Sequence, residues 1–278
     1  MTLREIVESY DGRLTNADQQ LLHALLSNPN EGVFLSAQEV AERASVHPTS
    51  AVRLAQKLGF GGYPDLRAKL RDDLLGRPKA PERIQHRLET LGHGSLKAFV
   101  DSEITALQAL PNQVAQADLE AAAHILVDAE RIFLFGYGHS EALGMLMEIR
   151  LSRSGYNTRV MRQAERHLAT DLASVTDRDV LLLFTFNAID KRVPVILEHA
   201  QTIGARTVAV SDSVGLLLRP NPDILLSATR GKEGEAQSLT VPMAICNTLI
   251  LIISQIDDGY SINRLADVGA MRRKLKVL

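Results

Sequence analysis
Up to Asp128 the apolar residues of this chain recur every three or four positions. From Arg131 they gather into short unbroken runs separated by helical stretches. The change of period predicts an all-helical head followed by an α/β body. In the head, Thr15 caps a first helix, Asp18 lies near its positive end, and Leu21, Leu22, Leu25 and Leu26 form its stripe before Pro29 stops it. Ser36 and Glu39 make an S-x-x-E capping box on a short second helix, with Val40, Ala41 and Ala44 on one face. After the turn Ser45-Val46-His47, Pro48 takes the first position of a third helix, where a missing N–H costs nothing. Ala51, Leu54, Ala55 and Leu58 point inward along it, and Gly59 ends it. Leu66, Leu70 and Leu74 mark another helix, and residues 76–81 have the composition of a linker. Helical spacing resumes through Phe99, Ile104, Leu107 and Leu110, breaks at Pro111, and returns over 119–127.

In the body, strands are expected at 132–135, 158–161, 180–186, 207–210 and 224–227. Helices are expected from Ser140, with Leu143, Leu146 and Ile149 inside, over 190–203, and finally from about Gln237 to Ile256. Such alternation predicts a five-stranded parallel sheet in a three-layer body. The chain therefore divides into a helix-turn-helix head (1–76), a linker and helix (77–112) and an α/β body (113–278).

The third head helix leaves His47, Thr49, Ser50, Val52, Arg53, Gln56 and Lys57 facing out. Short polar groups at a helix start, with cations further along, suit a helix that reads base edges and grips phosphates of double-stranded DNA. His47, Thr49, Ser50, Arg53 and Gln56 are expected near base edges and Lys57 near phosphate. A helical hairpin that only packs is the alternative. The net charge is −2, so a DNA reader must gather its positive charge locally. Arg53, Lys57, Arg67, Lys69 and Arg71 stand against Asp65 alone in that interval.

Composition narrows the class further. Hydrophobic content of 45% with 23% charged residues is that of a soluble globular protein. The single cysteine, Cys246, sits in an apolar helical run and reads as core; no disulfide can form within a monomer, which suits a reducing cytoplasm. The N-terminus carries acids and no apolar stretch, so no signal peptide is expected. The apolar run 239–256 is interrupted by Pro242, Asn247, Thr248, Ser254 and Gln255, so it reads as a buried helix rather than a membrane span. No histidine pair has H-x-x-x-H spacing, and no metal or cofactor is expected.

Two loops carry the chemistry of the body. Gly136-Tyr137-Gly138-His139-Ser140 joins the first strand to its helix, where glycines allow a sharp turn and a helix N-terminus favours an anion. A dinucleotide fingerprint would want glycine at position 141, where Glu141 stands. Gly138 to Ala142 is close to a nucleophile elbow, yet no partner acid and histidine can be aligned with Ser140. The second loop, Thr185-Phe186-Asn187-Ala188-Ile189-Asp190, follows the third strand. Open α/β sheets bind ligands where strand order reverses, which would bring both loops around one crevice. Gly138, His139, Ser140, Thr185, Asn187 and Asp190 are the expected effector-binding set. His167 and the segment 230–235 are weaker candidates, readable as surface.

Residues FLSAQEVAERASV and VRLAQKLGFGGYPDLR resemble the N-terminal domain of the RpiR (MurR/RpiR) family of bacterial transcription regulators. The body, with GYGHS as first ligand loop, resembles the sugar isomerase (SIS) domain those regulators carry. The resemblance covers nearly the whole chain and implies a regulator whose SIS domain senses a phosphosugar. The family's second loop is typically Ser-x-Ser-Gly-x-Thr; here Thr185 keeps the first hydroxyl, while Asn187, Ala188 and Asp190 depart from it. A carboxylate at position 190 would use the positive potential meant for phosphate, so a polyol, an amino sugar or a singly charged acid is expected to fit better. Serine at position 45, where such turns often carry glycine, is a smaller departure. Two other functions fit the same elements. One is a sugar-phosphate isomerase using Glu233, Glu235 or His167 as base; the other is a DNA-binding dimer whose body senses nothing. A homodimer, or a tetramer, through the SIS bodies is expected.

Overall fold
The computed structural model of the chain describes residues 3–10, 12–26, 35–75, 84–85, 87–89, 95–231 and 237–276. Pro29, the linker 76–81, Lys232, Glu233 and Glu235 lie outside the described residues, as do the side chains of Arg71 and Leu74. Two compact units divide between Thr90 and Leu91.

The head contains α1 (Leu3–Glu8), α2 (Asn16–Leu26), α3 (Ala37–Arg43), α4 (Pro48–Lys57) and α5 (Tyr63–Leu75). The caps of α2 and α3 are those the sequence predicts. The Thr15 amide donates to Asp18 at 2.8 Å and the Asp18 amide to the Thr15 hydroxyl at 3.3 Å. Ser36 and Glu39 close the same reciprocal box at the start of α3. Val46 N–H bonds Ala41 O and Ser45 N–H bonds Glu42 O, so α3 ends in a Schellman motif. The left-handed residue of that motif is Ser45, with φ 53°. Helix α4 ends the same way, with Gly59 at φ 87° in that place. Leu21, Leu22, Leu25, Val40, Ala41, Leu54, Ala55 and Leu66 fill the core between α2, α3, α4 and α5.

The body opens with α6 (Leu96–Ala109), a short turn of helix at Leu110–Asn112 and α7 (Gln116–Val127). Five strands follow: β1 (Ile132–Gly136), β2 (Thr158–Val160), β3 (Val180–Thr185), β4 (Arg206–Ser211) and β5 (Ile224–Ser227). All pair in parallel, in the order β2-β1-β3-β4-β5. The helices between and after them are α8 (Glu141–Arg153), α9 (Glu165–Leu172), α10 (Arg192–Ile203), α11 (Thr240–Ile256) and α12 (Tyr260–Lys274). Side chains alternate across the strands. Leu134, Leu182 and Val208 pack with α7, α8 and α11 on one face; Phe133, Leu181 and Ala209 pack with α9 and α10 on the other. The result is an α/β/α body of three layers around a five-stranded parallel sheet.

Three expectations shift. Helix α8 buries Leu143, Gly144, Met147 and Leu151, while Ile149 is half exposed. The i, i+4 row through Met147 faces the sheet, so Ile149 is rotated outward. Helix α9 was not foreseen: its buried face holds only Leu168, Asp171 and Leu172, too polar a stripe to read as periodic. Helix α12 was missed as well, because Ser261 is its only buried residue among those described. It follows α11 after a bend of 102°, and the Asp257 carboxylate accepts from the Ser261 amide at its start. Among the described residues no single helix is long and apolar enough to cross a membrane. Cys246 lies in the core of α11, where burial pushes its thiol up to about 12.

Candidate functional site
On the head, α4 presents one exposed face. Thr49, Val52, Arg53 and Gln56 are exposed and Ser50 is half-buried, whereas Ala51, Leu54 and Ala55 are buried. His47 does more than face outward. It caps α4, its Nδ1 accepting from the Thr49 amide at 3.3 Å with the Thr49 hydroxyl 2.8 Å away. Lys57, expected near phosphate, is engaged within the head. Its ammonium bonds Asp18 at 2.6 Å and Arg13 O at 3.2 Å, which ties α4 to α2. Within the expected basic cluster, Lys69 pairs with Asp73 at 2.9 Å, and Arg67 donates to Leu35 O at 3.4 Å. Arg53 is the outward cation of α4.

In the body, β1 is flanked by β2 on one side and β3 on the other, so strand order reverses there. Helices α8 and α10 leave toward opposite faces, and their loops diverge above the strand ends. A Cβ on Gly136 would stand 2.7 Å from Ser140 O, so the first loop turns only through glycine at that position. Gly138 adopts φ 62°. His139 is exposed, its ring 6.4 Å from that of Phe186. Ser140, by contrast, is buried. Its hydroxyl accepts from the Tyr137 amide at 2.8 Å and donates toward Tyr137 O and Phe184 O at 2.9 and 3.0 Å. It staples the first loop to β3.

The second loop is likewise satisfied from within. The buried Thr185 donates toward Ala188 O at 3.4 Å. Asn187 adopts φ 65°, and its amide bonds the Asp212 carboxylate at 2.9 Å. The Ala188 amide bonds Phe186 O at 2.8 Å. Asp212 in turn receives the guanidinium of Arg230, at 2.9 Å from Nη2 and 3.3 Å from Nε. That guanidinium lies 4.6 Å from the centre of the Phe186 ring and donates to Ser238 O. Arg230, expected in a segment readable as surface, is buried against Asp212.

Asp190 differs most from expectation, because its negative charge is not uncompensated. Arg192 grips both of its oxygens, Nε to Oδ1 at 2.5 Å and Nη2 to Oδ2 at 2.8 Å, and the Arg192 amide adds a bond of 3.0 Å. Both side chains are largely buried, 13% and 16% exposed. The Arg192 bonds, stronger here than the opposing burial, hold the Asp190 carboxyl below the usual carboxylate range. Because Asp190 turns back on this amide, α10 starts at Arg192, two residues later than predicted. Arg192 also donates to Gln163 O at 2.6 Å and stacks 4.2 Å from the centre of the Tyr137 ring, and the Gln163 amide reaches Gly136 O. One guanidinium thus joins both loops and the segment after β2. Sequence reasoning missed Arg192, Gln163 and Asp212; only Asp190, two positions before Arg192, carried a motif signal. His167 lies exposed on α9, 2.9 Å from Arg162, which is itself bound to Asp171. Among the described residues no group of three or more His, Cys, Asp or Glu side chains is placed to hold a metal ion.

The comparisons with known proteins match both units. The model of the "Helix-turn-helix domain, rpiR family" covers residues 1–76, and that of the "SIS domain" covers residues 125–252. The chain belongs to the rpiR family of helix-turn-helix transcription regulators. A curated relative, described as the uncharacterized HTH-type transcriptional regulator YfhH of Escherichia coli (strain K12), is 28% identical over 213 residues, 75% of this chain and 74% of its own length. Among solved structures, the sugar isomerase domain of an RpiR transcription factor from Sphaerobacter thermophilus aligns at 23% identity and TM-score 0.57, over 63% of this regulator and 97% of that chain. The Vibrio vulnificus NanR protein complexed with ManNAc-6P aligns over 99% of both chains, at 17% identity and TM-score 0.57. Both share the fold of this regulator.

Proposed function
We propose that this regulator binds operator DNA through α4 and senses a sugar, a sugar phosphate or a related metabolite in the crevice between 136–140 and 185–190. The head (1–76) would read DNA and the body (113–278) would bind effector, with 77–112 joining them. One observation carries the reading: an exposed polar face with an outward arginine, on a helix-turn-helix, shares a chain with a SIS body. The DNA-facing set is Thr49, Ser50, Arg53 and Gln56, with His47 holding the start of the helix. Lys57, expected beside phosphate, also ties α4 to α2 through Asp18.

The crevice favours binding over turnover. While Asp190 is paired with Arg192 its carboxyl is depressed, which makes it a weak base near neutrality. Ser140 and Thr185 give their hydroxyl protons to carbonyls, so neither is an activated nucleophile. That NanR was solved with ManNAc-6P supports a metabolite of this kind. Exposed apolar side chains, Met145 and Ile149 on α8, Leu251 on α11 and Ile262 on α12, support a homodimer or tetramer formed through the bodies. A DNA-binding regulator of this kind would work in the cytoplasm.

Fluorescence anisotropy with the native promoter tests the reading, with candidate sugars and sugar phosphates added in turn. Arg53→Ala should weaken operator binding by about 1–3 kcal/mol if Arg53 reads a guanine. At least one effector should shift the unaltered protein's DNA affinity without being consumed. Operator binding that ignores both Arg53→Ala and every effector would refute the proposal.

A further inference from the structure
We propose that Arg192 is the anion receptor of the crevice and that Asp190 occupies it as a built-in stand-in, displaced when an oxyanion of the effector binds. This rests on the reading of the crevice as the effector site.

Three observations lead there. First, the groups expected to hold an oxyanion are engaged elsewhere: the Ser140 and Thr185 hydroxyls face carbonyls, and the Asn187 and Ala188 amides face Asp212 and Phe186 O. Second, the donors that do converge on an anion converge on Asp190. They are Nε, Nη2 and the backbone amide of Arg192, at the N-terminus of the twelve-residue helix α10. A guanidinium fork matches carboxylate and phosphate oxygens alike, so a receptor shaped for Asp190 is shaped for either. Third, receptor and occupant are anchored differently. Arg192 is the first residue of α10 and is further held by Gln163 O and the Tyr137 ring. Asp190 lies in the loop before the helix, and its carboxylate is bonded to Arg192 alone among the contacts described. Asp190 can therefore turn outward without unwinding α10, and the Arg192 fork stays in place for a ligand.

Exchange of one anion for another also gives the site a mechanism for sensing. Release of Asp190 frees the loop 186–190, which the Asn187 amide ties to Asp212, Arg230 and the approach to α11. An incoming oxyanion must outcompete an intramolecular carboxylate, so the unaltered protein is expected to bind simple anions weakly and to gain affinity when that carboxylate is removed.

The test is calorimetric titration of the full chain with inorganic phosphate and, separately, with acetate. Asp190→Asn should tighten at least one of the two by about tenfold or more, the scale of a hydrogen-bonded charged group. The double variant Asp190→Asn/Arg192→Gln should lose that gain. The anion that gains identifies the oxyanion class. Asp190→Ser keeps a short acceptor for the Arg192 amide; circular dichroism of each variant decides which is read. No gain for either anion, or a gain that survives loss of Arg192, would overturn the proposal. The titration contains no DNA, so failure of effector-dependent DNA release would count against the sensing function and leave this result standing.

Discussion

Ser45 holds the left-handed position that closes α3, with φ 53°. A residue with a β-carbon loses roughly 1–2 kcal/mol there, and glycine does not. Glycine also adds freedom to the unfolded chain, which offsets part of the gain. Ser45→Gly should therefore raise head stability by about 1 kcal/mol in a urea melt. A loss of stability would mean that the serine hydroxyl matters more than its backbone. Asp179 presents the opposite case. Its buried carboxylate takes Nε and Nη2 of Arg131 at 2.9 and 2.6 Å, with the Thr176 amide at 2.7 Å and hydroxyl at 2.9 Å. Burial opposes its ionisation, yet Arg131 and Thr176 together hold the carboxyl below its ordinary value. A depressed carboxyl stabilises the fold fully above the unfolded value of about 3.9, and that contribution is lost as pH falls through the lower folded value. Asp179→Asn should cost about 3 kcal/mol at neutral pH, because it leaves the Arg131 charge without its partner. It should also flatten the acid limb of the stability profile below about pH 4, as chemical denaturation at a series of pH values would reveal.

At the scale of elements, α8 separates what sequence conveys from what packing decides. Its apolar residues outnumber those one face can bury, so periodicity alone admits either Ile149 or Met147 as core. Contact with β1 and β3 selects Met147, fully buried, and leaves Ile149 and Met145 outward. Met147→Ala should cost about 3 kcal/mol in the unfolding free energy of the body. Ile149→Ser should change monomer stability by less than about 0.5 kcal/mol. If α8 lies in the dimer interface, Ile149→Ser should nevertheless shift the assembly toward monomer in sedimentation velocity. The head and the strands were legible because their signals are local: caps three residues apart, glycine or its substitute at a helix end, and apolar runs in the sheet. Helices α9 and α12 were not, since one buries an aspartate and the other almost nothing. The crevice was legible in its loops and not in its bonds. Asp190 was visible as a departure, but its neutralisation by Arg192 needs the loop geometry, and Asp212 meets Arg230 only across 18 positions of chain.

For the molecule as a whole, the near-zero net charge matters less than where charges are already spent. Lys57 and Lys69 meet Asp18 and Asp73 inside the head, so general basicity is a poor guide to its DNA face. Linkage adds a constraint that no single contact supplies. If effector binding in the body changes operator affinity by some factor, DNA must change effector affinity by the same factor, because the two paths around the cycle share their end states. A typical coupling of about 1–3 kcal/mol corresponds to roughly 5–150-fold on each side. Effector titrations by calorimetry, without and with saturating operator, should therefore return the ratio that anisotropy gives for DNA without and with saturating effector. Arg53→Ala should leave effector affinity in the absence of DNA unchanged, since it alters the head and not the crevice. Ratios that disagree beyond error would mean that the effector acts outside this two-site cycle, for example by changing the state of assembly, and titration at several protein concentrations would expose that dependence.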